Sequence, residues 1–452
     1  MITKKSKETL KALDEGVYRN TKEVVLGGVN YSAKDILIKA PLISSLNMYY
    51  VGGTGEGKTQ LANDLVSHMG EDTVYAMGRN DFEPSQLMRQ VNWELLKAFQ
   101  SGEKISEGDL EKITQNVNKI FFYVDEFNRC KPIVQNYFFD FFDGKYVHTD
   151  GKIYKLGKAG YSIGFASGNL GDGDYVGISD SDRAMKDRMH MIVSLDNPLF
   201  RPTPFDALMI YSGNKKNPRA SLPKSGIEIT EDIIDLNKEF QESDLNPIYP
   251  LIGVFLSEGL DYLPNTKRHS KRAIESTWKH SNLEGINVTN DEGKIFPLSK
   301  RAILSAQGLA SALEFIAEAE GNEIKKPVEL LLDSLKLTIP YSGILHPTYV
   351  DQVHSGDVYS AFDDVFSGTD GNSGLNKEIK DRAEQLELSI HFAEAGEEIP
   401  SELINDIFQN SQKWMPVVDS LKDYAKFRNE NPSENGIKLK QLIENAKKVD
   451  EK

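Results

Sequence analysis

Residues 52–59 read Gly52-Gly53-Thr54-Gly55-Glu56-Gly57-Lys58-Thr59, directly behind an apolar run at 46–51. Glycine, four residues, then Gly-Lys-Thr is the spacing of a phosphate-binding loop. The glycines let backbone N–H groups turn inward around phosphate oxygens. Lys58 then reaches the β- and γ-phosphates, and the Thr59 hydroxyl ligates Mg²⁺. Leu61, Ala62, Leu65, Val66 and Met69 follow at helical spacing, so a helix starts here and points its positive end at the phosphates. Gln60 lies in its first turn. The implied ligand is a nucleoside triphosphate with Mg²⁺.

Two further segments carry chemistry. Residues 120–124 are an unbroken apolar run ending in Asp125-Glu126. Such a run suits a strand buried on both faces of a parallel sheet. Two acids at its end are costly unless a cation and a reaction use them. Asp125 fits the magnesium shell, directly or through water. Glu126 fits the group that orients and deprotonates an attacking water. Residues 161–169 form another strand-like stretch, with Tyr161, Ile163 and Phe165 alternating. Asn169 leaves it at the end where ligands of open parallel sheets bind, within reach of the water or the γ-phosphate. By itself, Gly168-Asn169 also reads as a plain turn.

The elements that must position these groups alternate strand and helix from about residue 20 to 205, as in a doubly wound α/β domain. After Pro202 and Pro204 the pattern turns to amphipathic helices near 229–242, 250–263 and 298–319. Residues 367–374 (SGTDGNSG) read as a linker. The expected division is therefore an α/β domain at 1–205, an all-α domain at 206–366, and a linker with a helical extension at 367–452. That extension is expected as an appendage, an oligomer contact, or a tail packed on the second domain.

Composition narrows the class. The 452 residues are 39% hydrophobic and 27% charged, so the chain is globular. A net charge of -15 argues against broad nucleic-acid binding, which needs a cationic face. The lone Cys130 excludes an intrachain disulfide and suits a reducing cytosol, and the eight histidines show no metal-ligand spacing. The charged opening has no apolar core of a leader, and no apolar run reaches the roughly 18 residues of a membrane span. A cytoplasmic location is expected.

In this order the segments resemble an AAA+ ATPase, and more narrowly the MoxR group. Asp125-Glu126-Phe127-Asn128-Arg129 is similar to that group's Asp-Glu-Ile-Asn-Arg, and Lys131-Pro132-Ile133-Val134-Gln135 to its Pro-Pro-x-Val-Gln. A phenylalanine-rich helix follows, then residues 144–156, which read as a hairpin around the tight-turn pair Asp150-Gly151. In the MoxR group this is an insert projecting from helix 2. Ala166-Ser167-Gly168-Asn169 resembles the group's sensor 1 strand end, and Glu83-Pro84-Ser85-Gln86-Leu87 its Leu-Pro-Ser-Asp-Leu. The likeness covers about residues 46–195 and thins toward 345. Residues 170–175 and 104–119 depart from the group's pattern, and the last hundred or so residues have no counterpart.

The resemblance implies further roles. Asp187-Arg188-Met189 is similar to the group's Leu-Asp-Arg-Phe, which makes Arg188 the arginine finger reaching a neighbour's γ-phosphate, with Arg183 as the competing candidate. Leu298-Ser299-Lys300-Arg301-Ala302 resembles sensor 2, with Arg301 at the nucleotide. Ser299 is a good N-cap, so Lys300 and Arg301 oppose the helix dipole unless an anion sits there. The implied protein is an ATP-hydrolysing ring, expected as a homohexamer, that remodels or assembles partner proteins in a chaperone-like way. A partner with a von Willebrand factor A domain is common in the group. Two alternatives stay open: a nucleic-acid motor or restriction-type component using the basic run 267–272 with Trp278 nearby, and a scaffold that binds nucleotide without turning it over.

Overall fold

Four short segments stay apolar up to their last position, and a fifth alternates; together they build the central sheet. The computed structural model describes residues 2–79, 89–91, 97–98, 100–101, 111–131, 134–135, 138–143, 146–149, 152–169, 183–213, 228–260, 262–263, 268–269, 294–295, 298–368, 371, 373–409 and 411–450. Contacts divide the chain into two units, Met1–Ser243 with Gly308–Glu323, and Asp244–Gln307 with Ile324–Lys452.

The first unit runs α1 (Lys4–Ala12), β1 (Glu23–Leu26), β2 (Val29–Ser32), α2 (Ala40–Ser44), β3 (Met48–Val51), α3 (Lys58–Met69) and β4 (Thr73–Met77). Then come β5 (Arg89–Val91), β6 (Glu111–Ile113), β7 (Phe121–Asp125), α4 (Phe139–Asp143), β8 (Tyr146–Thr149), β9 (Lys152–Lys155) and β10 (Ile163–Ser167). The unit continues with α5 (Arg183–Arg188), β11 (Met191–Ser194), α6 (Pro204–Ser212) and α7 (Thr230–Gln241). The sheet order is β11-β3-β10-β7-β4, all parallel. β3, β10 and β11 are buried at every position, as a sheet covered on both faces requires. The edge strand β4 leaves Tyr75 and Met77 exposed.

Aromatic rings fill the layers beside the sheet. Phe165 of β10 meets Tyr50 and Tyr123, each at 5.1 Å between ring centroids. Phe141 packs on Phe122 at 4.9 Å, and Phe127 lies edge-on to Phe138 and Phe142. Each such side chain contributes roughly 1.5–3 kcal/mol by leaving water. The phenylalanine-rich segment thus clamps the chain that follows the Asp125-Glu126 pair.

One buried carboxylate pins the far end of the unit. Asp206 is fully buried and closes a capping box with Thr203. It accepts from the backbone N–H of Thr21 at 3.0 Å and of Thr203 at 3.0 Å, and from both threonine hydroxyls. Arg19 pairs with it at 3.3 Å. Burial alone would raise its pKa, but the hydrogen bonds from Thr21 and Thr203 outweigh this and hold it below 3.8. A depressed pKa stabilises the fold above the unfolded value, and that stabilisation is lost as pH falls through the folded value. Asp206→Ala strands several donors, so it is expected to cost about 2–4 kcal/mol at neutral pH. Urea unfolding followed on the first unit checks this; the gap to wild type narrows below about pH 4.

The second unit contains α8 (Ile248–Val254), a hairpin of β12 (Tyr262–Leu263) with β13 (Arg268–His269), and α9 (Lys300–Glu320), whose residues from Gly308 onward belong to the first unit. It then holds α10 (Pro327–Thr338), α11 (Pro347–His354), α12 (Val358–Phe366), α13 (Gly374–Lys380), α14 (Ala383–Glu394), α15 (Ser401–Phe408), α16 (Met415–Glu430) and α17 (Glu434–Asp450).

The division differs from the expected borders in two ways. Residues 206–243 belong with the α/β unit, because α7 docks there: Asn237 donates to the Ile43 carbonyl at 2.7 Å, and Lys5 of α1 pairs with Asp232 and Asp235. The described residues of the 367–374 segment (367, 368, 371, 373 and 374) fall within one unit and not between two. Gly371 N–H returns to Gly368 at 3.1 Å, and Ser373 N–H to Ser367 at 2.9 Å. The C-terminal helices pack into the second unit through Trp414, which is fully buried and stacks on Phe255 at 4.0 Å. Arg382 covers Trp414 and donates to the Ile407 and Glu378 carbonyls.

Candidate nucleotide site

The loop after β3 is folded as the glycines require. Gly55 and Gly57 have φ of 92° and 85°, and Gly52 has φ of 151°, all in the region that side chains disfavour. Gly57 starts α3, so Lys58 and Thr59 occupy its first turn. Lys58 is buried, and its ammonium donates to the Gly52 carbonyl at 3.0 Å and the Gly53 carbonyl at 2.6 Å. Burial lowers its pKa from the usual lysine value, while Asp196, Glu56 and Asp125 act in the other direction. A buried cation with acids around it is compensated further by phosphate oxygens. Thr59 and Thr54 are exposed. Gln60 instead donates to Asp64 of the same helix at 3.1 Å.

Sheet register sets the two acids beside this loop. Ala166 of β10 aligns with Tyr49 of β3 and with Val124 of β7. Ser167, Asp125 and Gly52 therefore lie along one carboxyl edge. Ser167 Oγ donates to Asp125 Oδ1, which also accepts the Glu126 N–H at 3.0 Å. Glu126 is left-handed at φ 51°, a strained value for a residue with a side chain. Its carboxylate pairs with Arg129 at 2.9 Å. Gly78 follows β4 with its N–H on the Asp125 carbonyl at 2.7 Å. A Cβ there would sit 2.3 Å from the Glu126 carbonyl oxygen, so only glycine fits beside the acid pair. Asn169 is two residues past β10, and its carbonyl accepts from Asn128 at 3.3 Å.

The donor set at this edge suits Mg²⁺. Thr59 offers a hydroxyl and Asp125 a carboxylate, hard oxygens for an ion that keeps waters and phosphate oxygens for the rest of its shell. Among the described residues there is no group of three or more His, Cys, Asp or Glu fit to hold a metal unaided.

Arg188 lies at the other edge. It ends α5, three residues before β11, which runs parallel to β3. Its carbonyl accepts from Asn47 at 3.2 Å, and Asn47 stands directly before β3. The length of β3 thus lies between Arg188 and the loop of its own chain, roughly 13 Å at the usual strand rise. The guanidinium Nε pairs with Asp143, the last residue of α4, at 2.9 Å. Arg183 opens the same helix. Arg301 lies in the second unit, in the first turn of α9, where Ser299 caps the Ala302 N–H at 3.0 Å as expected.

Three residues that sequence reasoning passed over matter here. Asp196, just past β11, accepts the Gly53 N–H at 2.7 Å and anchors the loop. Asn47 also donates to the Phe142 carbonyl and accepts the Gly164 N–H at 2.8 Å, tying β3, α4, α5 and β10. Its signal was a polar residue inside an apolar run. Asn128 is buried, and its Oδ1 has no hydrogen-bond partner among the described residues. Several expectations lie outside the described residues: 83–87, the Asp150-Gly151 turn, 170–175, and the basic run 267–272 apart from Arg268 and His269. The hairpin itself is present as β8 paired with β9, with Tyr146 and Ile153 exposed. No helix among the described residues is long and apolar enough to cross a membrane.

Comparison with known proteins agrees with this geometry. Residues 47–189 match the family described as AAA domain (dynein-related subfamily). No curated protein matches the chain. Among solved structures, a candidate ATPase from Cytophaga hutchinsonii is similar at a TM-score of 0.50 and 15% identity, over 79% of this chain and 93% of that one. That likeness concerns the fold. A full-length MCM homolog from Methanopyrus kandleri aligns at a TM-score of 0.39 and 12% identity, over 69% and 56%, too loosely to carry weight. The cradle after β3 and the acids ending β7 both lie within residues 47–189, and that stretch of the chain is similar to an AAA domain.

Proposed function

We propose that the protein is a cytoplasmic, MoxR-like ATPase that works as a homo-oligomeric ring and uses ATP hydrolysis to remodel or assemble partner proteins. The observation that carries this reading is the separation of Arg188 from its own phosphate loop by the length of β3. An arginine at the amino edge of the sheet is poorly placed to act in cis and well placed to meet a neighbour's nucleotide. Such a finger offsets charge on the transferred phosphoryl group.

The backbone of residues 53–58 and Lys58 hold the triphosphate. Thr59 and Asp125 hold Mg²⁺, which supplies charge neutralisation on the β- and γ-phosphate oxygens. Glu126 takes a proton from water as its oxygen attacks the γ-phosphorus. The bond from that phosphorus to the β-γ bridging oxygen breaks, leaving ADP and phosphate. Asn169 orients the water or the γ-phosphate, and Arg301 takes the sensor 2 role that the resemblance to the MoxR group implies. The exposed Tyr146 and Ile153 support the β8–β9 hairpin as the surface that works on a client. A von Willebrand factor A domain protein fits the partner role by resemblance to the MoxR group.

Lys58→Ala tests the reading. Truncation removes the one buried ammonium among the described loop residues, and nucleotide affinity is expected to fall by about two orders of magnitude or more. Calorimetric ATP binding and phosphate release measure it. A chain that binds ATP yet releases no phosphate in wild-type form points to a nucleotide-gated scaffold. Stimulation by DNA that fades steeply with salt points to a nucleic-acid motor.

A further inference from the structure

Ser167 is the last residue of β10 and only 1% exposed, and no role for it follows from the phosphate loop or the acid pair alone. We propose that Ser167, backed by Tyr123, is a positioning residue for the Asp125 carboxylate and thereby sets the affinity of the site for Mg²⁺. This rests on the reading of Asp125 as a magnesium ligand.

A carboxylate at a strand end turns about two side-chain bonds and offers four acceptor sites. A cation gains most when one oxygen is held in a fixed direction before it arrives. Here Oδ1 is committed to the protein twice, to the Ser167 hydroxyl and to the Glu126 N–H. That assigns Oδ2 to the cation. The Ser167 proton goes to Asp125, so its oxygen is left to accept, and the Tyr123 hydroxyl lies 3.3 Å away. Tyr123 is itself buried, and a phenol has one O–H proton to donate. The result is a relay of donors, Tyr123 to Ser167 to Asp125, running from the sheet interior to its carboxyl edge. Outer hydrogen bonds of this kind raise and orient a ligand, and their loss typically weakens metal binding about 10–100-fold.

The test is ATP binding in the Glu126→Gln background, where hydrolysis is slowed, first with chelator and then across a Mg²⁺ titration. Ser167→Ala is expected to leave metal-free ATP affinity within about twofold and to raise the Mg²⁺ half-saturation about 10–100-fold. Ser167→Thr, which keeps the hydroxyl, restores the wild-type value. Tyr123→Phe shifts it in the same direction by less, and carries the test should Ser167→Ala not fold. A Mg²⁺ effect in the parent form that Ser167→Ala reproduces unchanged overturns the proposal alone. A parent form indifferent to Mg²⁺ overturns the reading of Asp125, and the proposal with it.

Discussion

Arg188→Ala is expected to lower steady-state ATP hydrolysis by about 10³-fold or more, the usual worth of an arginine finger, while nucleotide affinity stays near wild type. The fold should survive, because the Arg188–Asp143 pair is partly exposed and pairs of that kind contribute about 1 kcal/mol at most. The decisive measurement mixes two inactive proteins. Arg188→Ala subunits keep a sound cradle, and Lys58→Ala subunits keep a sound finger. In a head-to-tail ring with random mixing at equal amounts, about one interface in four joins the two and regains activity. Recovery on mixing is therefore expected where neither protein alone turns over. Undiminished turnover in Arg188→Ala removes the finger. Lost turnover without recovery on mixing removes its action between subunits.

Glu126→Gln is expected to reduce turnover by about 10²–10⁴-fold, the usual range for loss of a general base, and to keep ATP bound. The amide matches the carboxylate in size and can still accept from Arg129, so the left-handed turn at φ 51° should persist. What disappears is the ability to take the proton from water. Single-turnover phosphate release and ATP retention on a filter separate the two effects. Turnover within about tenfold of wild type would assign the base elsewhere. A pull-down with this form, holding ATP, is also the direct route to the client.

Much of the proposed catalytic edge was legible because its chemistry is local. A loop needing positive φ must use glycine, and a strand buried on both faces must be apolar until it reaches the ligand. The positions of Gly55, Gly57, Lys58, Asp125 and Asn169 follow from those two constraints. The borders between units were not legible in the same way. Helix α7 is amphipathic wherever it docks, and its periodicity holds no record of which body covers its apolar face; Asn237 and the α1 ion pairs decide that. The glycine-rich sequence at 367–374 would look the same between domains as within one.

The sequence by itself determined a glycine loop with Lys58 and Thr59 at the spacing of a phosphate cradle, and two acids at the end of an apolar strand, since backbone geometry and burial call for those residue types there. Tertiary structure decided what supports them. Asp196, Asn47 and Ser167 act across strands distant in sequence, where register alone brings donor to acceptor. The same strand direction sets Arg188 at the edge away from its own cradle, because parallel strands send every chain entry to one side of the sheet and every exit to the other.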